Sequence, residues 1–266
     1  MTKHPDVSAP PAVLDPGTLQ FECNICSRPA ALAVRALERE GGACPGCGAV
    51  VRFRAVVHHL SMHFFGESLP IARFPESARQ LRGIGMSDAP QYADRLARAM
   101  AYTNTFYHQE PRFDLTAPDV ERFGNCDFVI TSDVLEHVAP PVDAAFRNLR
   151  SIMKPGALLV LTVPFATEGD TVEHFPDLFD FRIEERGGEH VLLNTTRDGR
   201  PQEYRDLIFH GGPGSTLEMR LFSEAALRRG LEDAGFRDVS VHRVPCFEHG
   251  IYWPVPWSVP VTAYAG

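Results

Sequence analysis

The chain has 266 residues, 44% of them hydrophobic and 23% charged, enough for one substantial core and a small accessory unit. Lys and Arg total 26 against 34 Asp and Glu, and a formal net charge of −8 argues against nucleic-acid or anionic-membrane binding by bulk charge. No apolar run approaches the roughly 20 residues that span a bilayer, and MTKHPDVSAPPAVLDPG has Pro and Asp where a signal peptide has its apolar core, so a cytoplasmic protein without membrane association is expected.

Residues 1–19 are polar and rich in Pro and Ala, which predicts a flexible arm. Residues 20–50 hold four of the six cysteines, as Cys23-x2-Cys26 and Cys44-x2-Cys47, while Cys126 and Cys246 stand apart. This doubled spacing predicts a small ribbon with a four-thiolate zinc site, in which each C-x2-C knuckle aims two sulfurs at one ion. Pro45, Gly46 and Gly48 supply the turn chemistry of the second knuckle. A disulfide pair needs an oxidising compartment of which the sequence gives no sign, and a redox C-x2-C sits in a different strand-to-helix context. Four protein ligands close the site, so the metal is expected to be structural.

Residues 51–78 read as a linking helical segment: VRFRAVVHHLSMHFFG places Phe53, Val56, Val57, Leu60 and Phe64 at helical spacing. His58, His59 and His63, with Arg52 and Arg54, are expected on a solvated face of that helix. From residue 79 short apolar runs alternate with amphipathic ones: RQLRGIG (79–85), QYADRLARAM (91–100), AYTNTFYH (101–108), CDFVITS (126–132), PVDAAFRNLRSIMKPGA (141–157) and LLVLTVPF (158–165). This alternation predicts an α/β fold, a mostly parallel sheet with helices on both faces. CDFVITS is apolar on nearly every residue and reads as a central strand, so the polar Thr131-Ser132-Asp133 at its carboxyl end marks where a ligand site belongs.

Residues 166–220 form a long excursion after a strand's carboxyl end, with a hairpin expected at Asp198-Gly199 and the glycine-rich FHGGPGSTLEMR at 209–220. Its length suits a lid on the substrate side. FSEAALRRGLEDAGF (222–236) predicts a helix stopped by Gly235, and DVSVHRV (238–244) and SVPVTAYA (258–265) predict two closing strands.

The block CDFVITSDVLEHVAPPVDAAFRNLRSIMKPGALLVLTVP (126–164) resembles the central block of class I S-adenosylmethionine (SAM) dependent methyltransferases. The order of elements over 79–266 is similar to that family's, with the lid as an insertion. The resemblance implies a Rossmann-like, seven-stranded, mostly parallel sheet with its last strand antiparallel, and SAM across the carboxyl ends of the first strands.

Residue by residue, it implies that Gly83 and Gly85 let the methionine part of SAM approach the backbone, and that Ser87 or Asp88 meets its ammonium. Asn104 and Thr105 stand where the family commonly has a ribose-binding acid, and Asp114 and Leu115 where the adenine is held. Ser132 and Asp133 would line the seam between cofactor and acceptor. Two departures are plain: the glycine loop has two closely spaced glycines instead of three, and the second strand ends without an acid.

Methyl transfer needs alignment and, for a hydroxyl acceptor, a base. His137, His174, His210 and Asp133 are the candidates, and together they favour transfer to oxygen of a small molecule or glycan. Two other classes stay open at this stage. One is a degenerate methyltransferase fold used for binding or regulation, suggested by the thinned glycine loop. The other is a nucleic-acid modifying enzyme docking through its ribbon, against which the net charge counts.

Overall fold

The computed structural model describes residues 17–210 and 216–266. The arm expected over 1–19 lies outside the described residues up to 16, and Thr18 and Leu19 already belong to the first strand. β1 (Thr18–Glu22) and β2 (Pro29–Ala33) pair antiparallel, and α1 (Val51–Phe65) follows the second cysteine knuckle. Then come β3 (Arg82–Met86), α2 (Pro90–Ala99), β4 (Ala101–Thr105), α3 (Val120–Phe123), β5 (Cys126–Ser132), α4 (Asp143–Ser151) and β6 (Met153–Thr162). The excursion holds β7 (Phe165–Ala166), β8 (Val172–Glu173), β9 (Asp180–Arg186), β10 (Glu189–Thr195), β11 (Pro201–Tyr204), β12 (Phe209–His210), β13 (Thr216–Leu217) and β14 (Arg220–Ser223). α5 (Glu224–Asp233), β15 (Phe236–Val241) and β16 (Val261–Ala265) close the chain.

The central sheet runs β15-β16-β6-β5-β3-β4, and β16 is antiparallel to both of its neighbours while β4, β3, β5 and β6 are mutually parallel. It has six strands where seven were expected. Between β4 and β5, residues 106–125 form turns, the short α3 and a single parallel bridge, Phe106 with Arg112, in place of a full outer strand. Successive residues of β5 point to opposite faces, and both faces are buried, as its apolar text predicts. Val129, with Leu159 and Leu161 of β6, faces Phe146 and Leu149 of α4 and Leu227 and Leu231 of α5. Phe128 and Ile130 face the other side, against Tyr92 and Leu96 of α2 and Val56, Val57 and Leu60 of α1. The helix after the ribbon therefore covers the sheet.

That packing corrects the expected solvated face of α1 at Arg54, His58 and His59, while Arg52 is half-buried and His63 is exposed as expected. Arg54 is fully buried, and its guanidinium donates to the carbonyls of Gly42 (2.9 Å), Ala49 (2.5 Å) and Gly250 (2.8 Å). The His59 ring lies 3.9 Å from that of His242, and His58 Nδ1 is 2.6 Å from Ser68 Oγ. Burial pushes His58 down to about 4 and His59 well below the usual imidazole range.

In the excursion β9, β10 and β11 form a three-stranded antiparallel sheet. The turn between β10 and β11 falls where Asp198-Gly199 predicts it, closed by Gly199 N–H to the Thr196 carbonyl at 2.9 Å with Gly199 at φ +85°. β14 joins β7 and β8 and returns the chain to α5, whose N-terminus is capped by Ser223 Oγ accepting from Ala226 N–H at 3.2 Å. Among the described residues no helix is long and apolar enough to cross a membrane.

Candidate active site and cysteine ribbon

The two knuckles bring Cys23, Cys26, Cys44 and Cys47 together. Their sulfurs stand 3.8 Å apart for Cys23 and Cys47 and 3.7 Å apart for Cys26 and Cys44, too far for disulfides, and all four are free thiols. Four thiolates arranged tetrahedrally at about 2.3 Å from one zinc are about 3.8 Å from each other, so the cluster has the dimensions of that ion. Each knuckle turns through a residue of positive φ, Ser27 at +58° and Gly48 at +74°, and Gly46 N–H points at Cys44 Sγ from 3.4 Å.

The ribbon is built into the sheet. Its Arg39 guanidinium reaches the carboxyl end of β5 and grips both oxygens of Asp133, with Nη1 to Oδ2 at 3.0 Å. Arg52 of α1 sits on the other side, 3.3 Å from Asp133 Oδ2 and hydrogen-bonded to Ser132 Oγ. Glu40 spans both arginines, and Thr162 Oγ1 donates to Asp133 at 3.2 Å. Burial alone would raise the Asp133 carboxyl, but Arg39 and Arg52 hold it below the usual carboxylate range. Asp133 takes φ +56°, which turns its carboxylate back toward these arginines. Its charge is thus committed to pairing, and Arg39 and Arg52 are site residues that sequence reasoning missed.

Beside this network lies the turn after β3. Gly83 and Gly85 lie within β3 itself and not in the loop after it, and packing requires them: a Cβ on Gly83 would overlap the Phe128 ring, and one on Gly85 the Asp88 carboxylate and Tyr102 hydroxyl. Ser87, exposed and at φ +58°, swings the backbone so that Asp88 turns inward. Asn104 spends both ends of its amide on Asp88, accepting from its N–H and donating to its carbonyl, each at 2.9 Å. Thr105 Oγ1 donates to the Gly85 carbonyl at 2.7 Å. Asn104 and Thr105 thus shape the turn. Asp88 Oδ2 accepts from Tyr102 at 2.5 Å, whereas buried Oδ1 has no hydrogen-bond partner, and burial pushes the carboxyl up to about 6. Asp114 Oδ1 accepts from the N–H and hydroxyl of Thr116 in a local turn, and Leu115 is buried in the core.

On the far side of the β5 end, the three nominated histidines converge from three separate segments. His137 lies in a 3-10 turn, Leu135–His137, clamped by fully buried Arg220, which donates to the carbonyls of Leu135 (3.0 Å) and Val138 (2.6 Å) and pairs with Glu173 at 2.7 Å. His174 Nε2 and His210 Nε2 each stand 2.9 Å from Glu218, one on either carboxylate oxygen. The rings of His137 and His210 meet edge to face, with centroids 4.8 Å apart. Burial works to raise Glu218, yet His174 and His210 keep it below the usual range. Glu218, in STLEMR, was missed because one acid in a glycine-rich stretch carries no spacing signal. Gly211 to Ser215, the core of the glycine-rich stretch, lie outside the described residues.

A cavity of about 580 Å³ lies elsewhere, at the amino-terminal ends of β3 and β4, lined by Arg82, Ala101, Pro111 and Arg122 among others. It opens where a full outer strand is missing, away from the histidines.

No curated protein matches the chain. Similar solved structures include an S-adenosylmethionine-dependent methyltransferase from Clostridium acetobutylicum, 9% identical over 77% of this chain and 95% of that one, TM-score 0.40. An amino pentose methyltransferase from Micromonospora echinaspora is 14% identical over 79% of this chain and 91% of that one, TM-score 0.41. A 1,6-didemethyltoxoflavin-N1-methyltransferase from Burkholderia thailandensis is 15% identical over 73% and 75%, TM-score 0.39. The family described as "Methyltransferase domain" matches residues 74–241, which take in β3 to β15 and all three histidines. With that span matched in a chain of 266 residues, the protein belongs to the methyltransferase domain family and is a methyltransferase.

Proposed function

We propose that the enzyme transfers a methyl group from SAM to a hydroxyl of a small molecule or glycan, and that its ribbon carries a structural zinc. The observation that carries this reading is the pair of features flanking the end of β5: a buried carboxylate with an unsatisfied oxygen on one side, Asp88, and a histidine cluster on the other. SAM, when bound, supplies a methyl already activated on a sulfonium. Its ammonium would be a partner for Asp88 Oδ1, a buried acceptor of the β3 turn whose carboxyl is otherwise met by the hydroxyls of Tyr102 and Tyr92. Ser87, on the same turn, and Ser132, at the end of β5, border that place.

His137 supplies the proton acceptor. Its Nδ1 stands 2.9 Å from the Leu217 carbonyl, which only accepts, so the ring proton sits on Nδ1 and Nε2 presents a lone pair. His174 and His210, joined through Glu218, give the proton an onward path. Asp133 takes no proton in this scheme; it fastens the ribbon to the strand end. Cys23, Cys26, Cys44 and Cys47 would hold the zinc and thereby set the position of Arg39, five residues before the second knuckle. Bulk negative charge speaks for a small-molecule or glycan acceptor over nucleic acid.

Calorimetric titration with SAM and with its demethylated product tests the donor site. Binding of both is expected, with Asp88→Asn weakening SAM at least about tenfold through loss of a buried charge partner. No binding of either at millimolar concentration refutes the proposal.

A further inference from the structure

Glu136 is the most unusual group in the molecule. It is fully buried, and neither carboxylate oxygen has a hydrogen-bond partner. Burial pushes this carboxyl well above the usual carboxylate range, so as an anion it would need a positive partner there. Its Oε1 points at His137 Nε2 from 3.7 Å, beyond hydrogen-bond reach. Because His137 Nδ1 is bonded to the Leu217 carbonyl, the Nε2 that faces the carboxylate is itself a lone pair. A buried carboxyl and an imidazole lone pair are thus held facing each other, with a ring nitrogen of His210 completing a set whose atoms all lie within 4.8 Å of one another, and a cation entering the set would displace the carboxyl's proton to solvent.

We propose that Glu136, His137 and His210 bind a divalent first-row transition cation. Two imidazoles and one carboxylate are the donor set such ions prefer, and ligands about 2.0–2.2 Å from one ion stand roughly 3.0–3.6 Å apart, a small contraction from the arrangement seen. The bond from His137 Nδ1 to a backbone carbonyl is the outer contact that fixes a ligating imidazole's tautomer and direction. Arg220 holds the carbonyls of Leu135 and Val138 on either side of the Glu136–His137 pair, so two of the three ligands are placed before any ion arrives. Glu218, 2.9 Å from His210 Nε2, adds a carboxylate at the rim. Three protein ligands leave positions open. Resting on the methyl-transfer reading but changing its base, the cation would occupy the His137 Nε2 lone pair, take the acceptor's oxygen at an open position and lower its pKa, and the released proton would pass to His174 and Glu218 instead of His137.

The test is titration of the purified full-length enzyme with Co2+, read by visible absorption and by metal analysis after desalting. One cobalt per chain is expected with a nitrogen–oxygen spectrum lacking the thiolate charge-transfer band that marks the cysteine ribbon. His210→Ala, a change at the half-exposed mouth, and Glu136→Gln should each weaken it at least about tenfold. Absence of any cobalt outside the thiolate site overturns the proposal, as does uptake that His210→Ala leaves unchanged. Neither donor nor acceptor is needed, so this failure is distinct from failure of SAM binding.

Discussion

Replacing Asp133 by Asn isolates the charge that joins the ribbon to the sheet. Asn has nearly the same shape and tolerates positive φ as Asp does, so the +56° backbone is kept while the charge is lost. Both arginines and Asp133 are mostly buried, their side chains 16%, 13% and 19% exposed, so solvent does not replace the missing partner. Breaking one side of such a buried pair costs about 3–5 kcal/mol. Glu40 remains on both guanidiniums and offsets part of that. The expected loss is therefore about 3 kcal/mol, roughly 6–12 °C in Tm for a domain of this size. Urea unfolding followed by Trp253 and Trp257 fluorescence measures it. Glu40→Gln, at a 53% exposed side chain, should cost under about 1 kcal/mol. Asp133→Asn within about 0.5 kcal/mol of wild type, or no costlier than Glu40→Gln, would refute the reasoning.

The His58, His59 and His242 group sets an acid limit on stability. All three are held below the ordinary imidazole value by burial, so the unfolded chain takes up protons first, and stability present above pH ~6.5 falls progressively toward pH ~4, by up to roughly 1.4 kcal/mol per pH unit for each proton. Asp88 works the other way: its raised carboxyl contributes stability below pH ~4 that is lost as pH rises through about 6. Denaturation midpoints between pH 7.5 and 5 should fall, less in His59→Leu and more in Asp88→Asn; a flat wild-type profile contradicts this. Denaturing the purified protein in the presence of a chromogenic chelator should release one zinc per chain from the four cysteines, and Cys26→Ser should purify without it; no released zinc from the wild type sinks the four-thiolate assignment.

Local signals carried much of the fold. The unbroken apolar run of β5 and the turn at Asp198-Gly199 act within a few residues, so they are visible in the text. The cysteine knuckles are as local, and their spacing suffices. The site is another matter. Arg39 meets Asp133 across 94 positions and His174 meets Glu218 across 44, and nothing in either neighbourhood encodes the partner. His58 and His59 read as surface when α1 is read as a link; with α1 on the sheet those positions are half-buried, the His59 ring against His242. Asn104 has a local use that its sequence neighbourhood does not announce: both ends of its amide hold the backbone of Asp88, 16 positions away. That the outer strand shrinks to one bridge, Phe106 with Arg112, has no signal in AYTNTFYHQEPRFDL, which is rich in strand formers.

The ribbon's grip on the strand end bears on how this enzyme changes over generations. Arg39 lies between the cysteine pairs, Arg52 just after them, Arg54 bonds the Gly250 carbonyl, and the ring of His249 sits between the carbonyls of Glu22 (2.8 Å) and Ser68 (3.1 Å). Those contacts stitch the first quarter of the gene to its middle and its end. A recombination event that exchanged the ribbon for another cysteine module would strip Asp133 of its cations and leave a buried charge at the heart of the site. Ribbon and sheet are thus constrained to be inherited together, and drift at Asp133 should be matched by drift at Arg39 and Arg52.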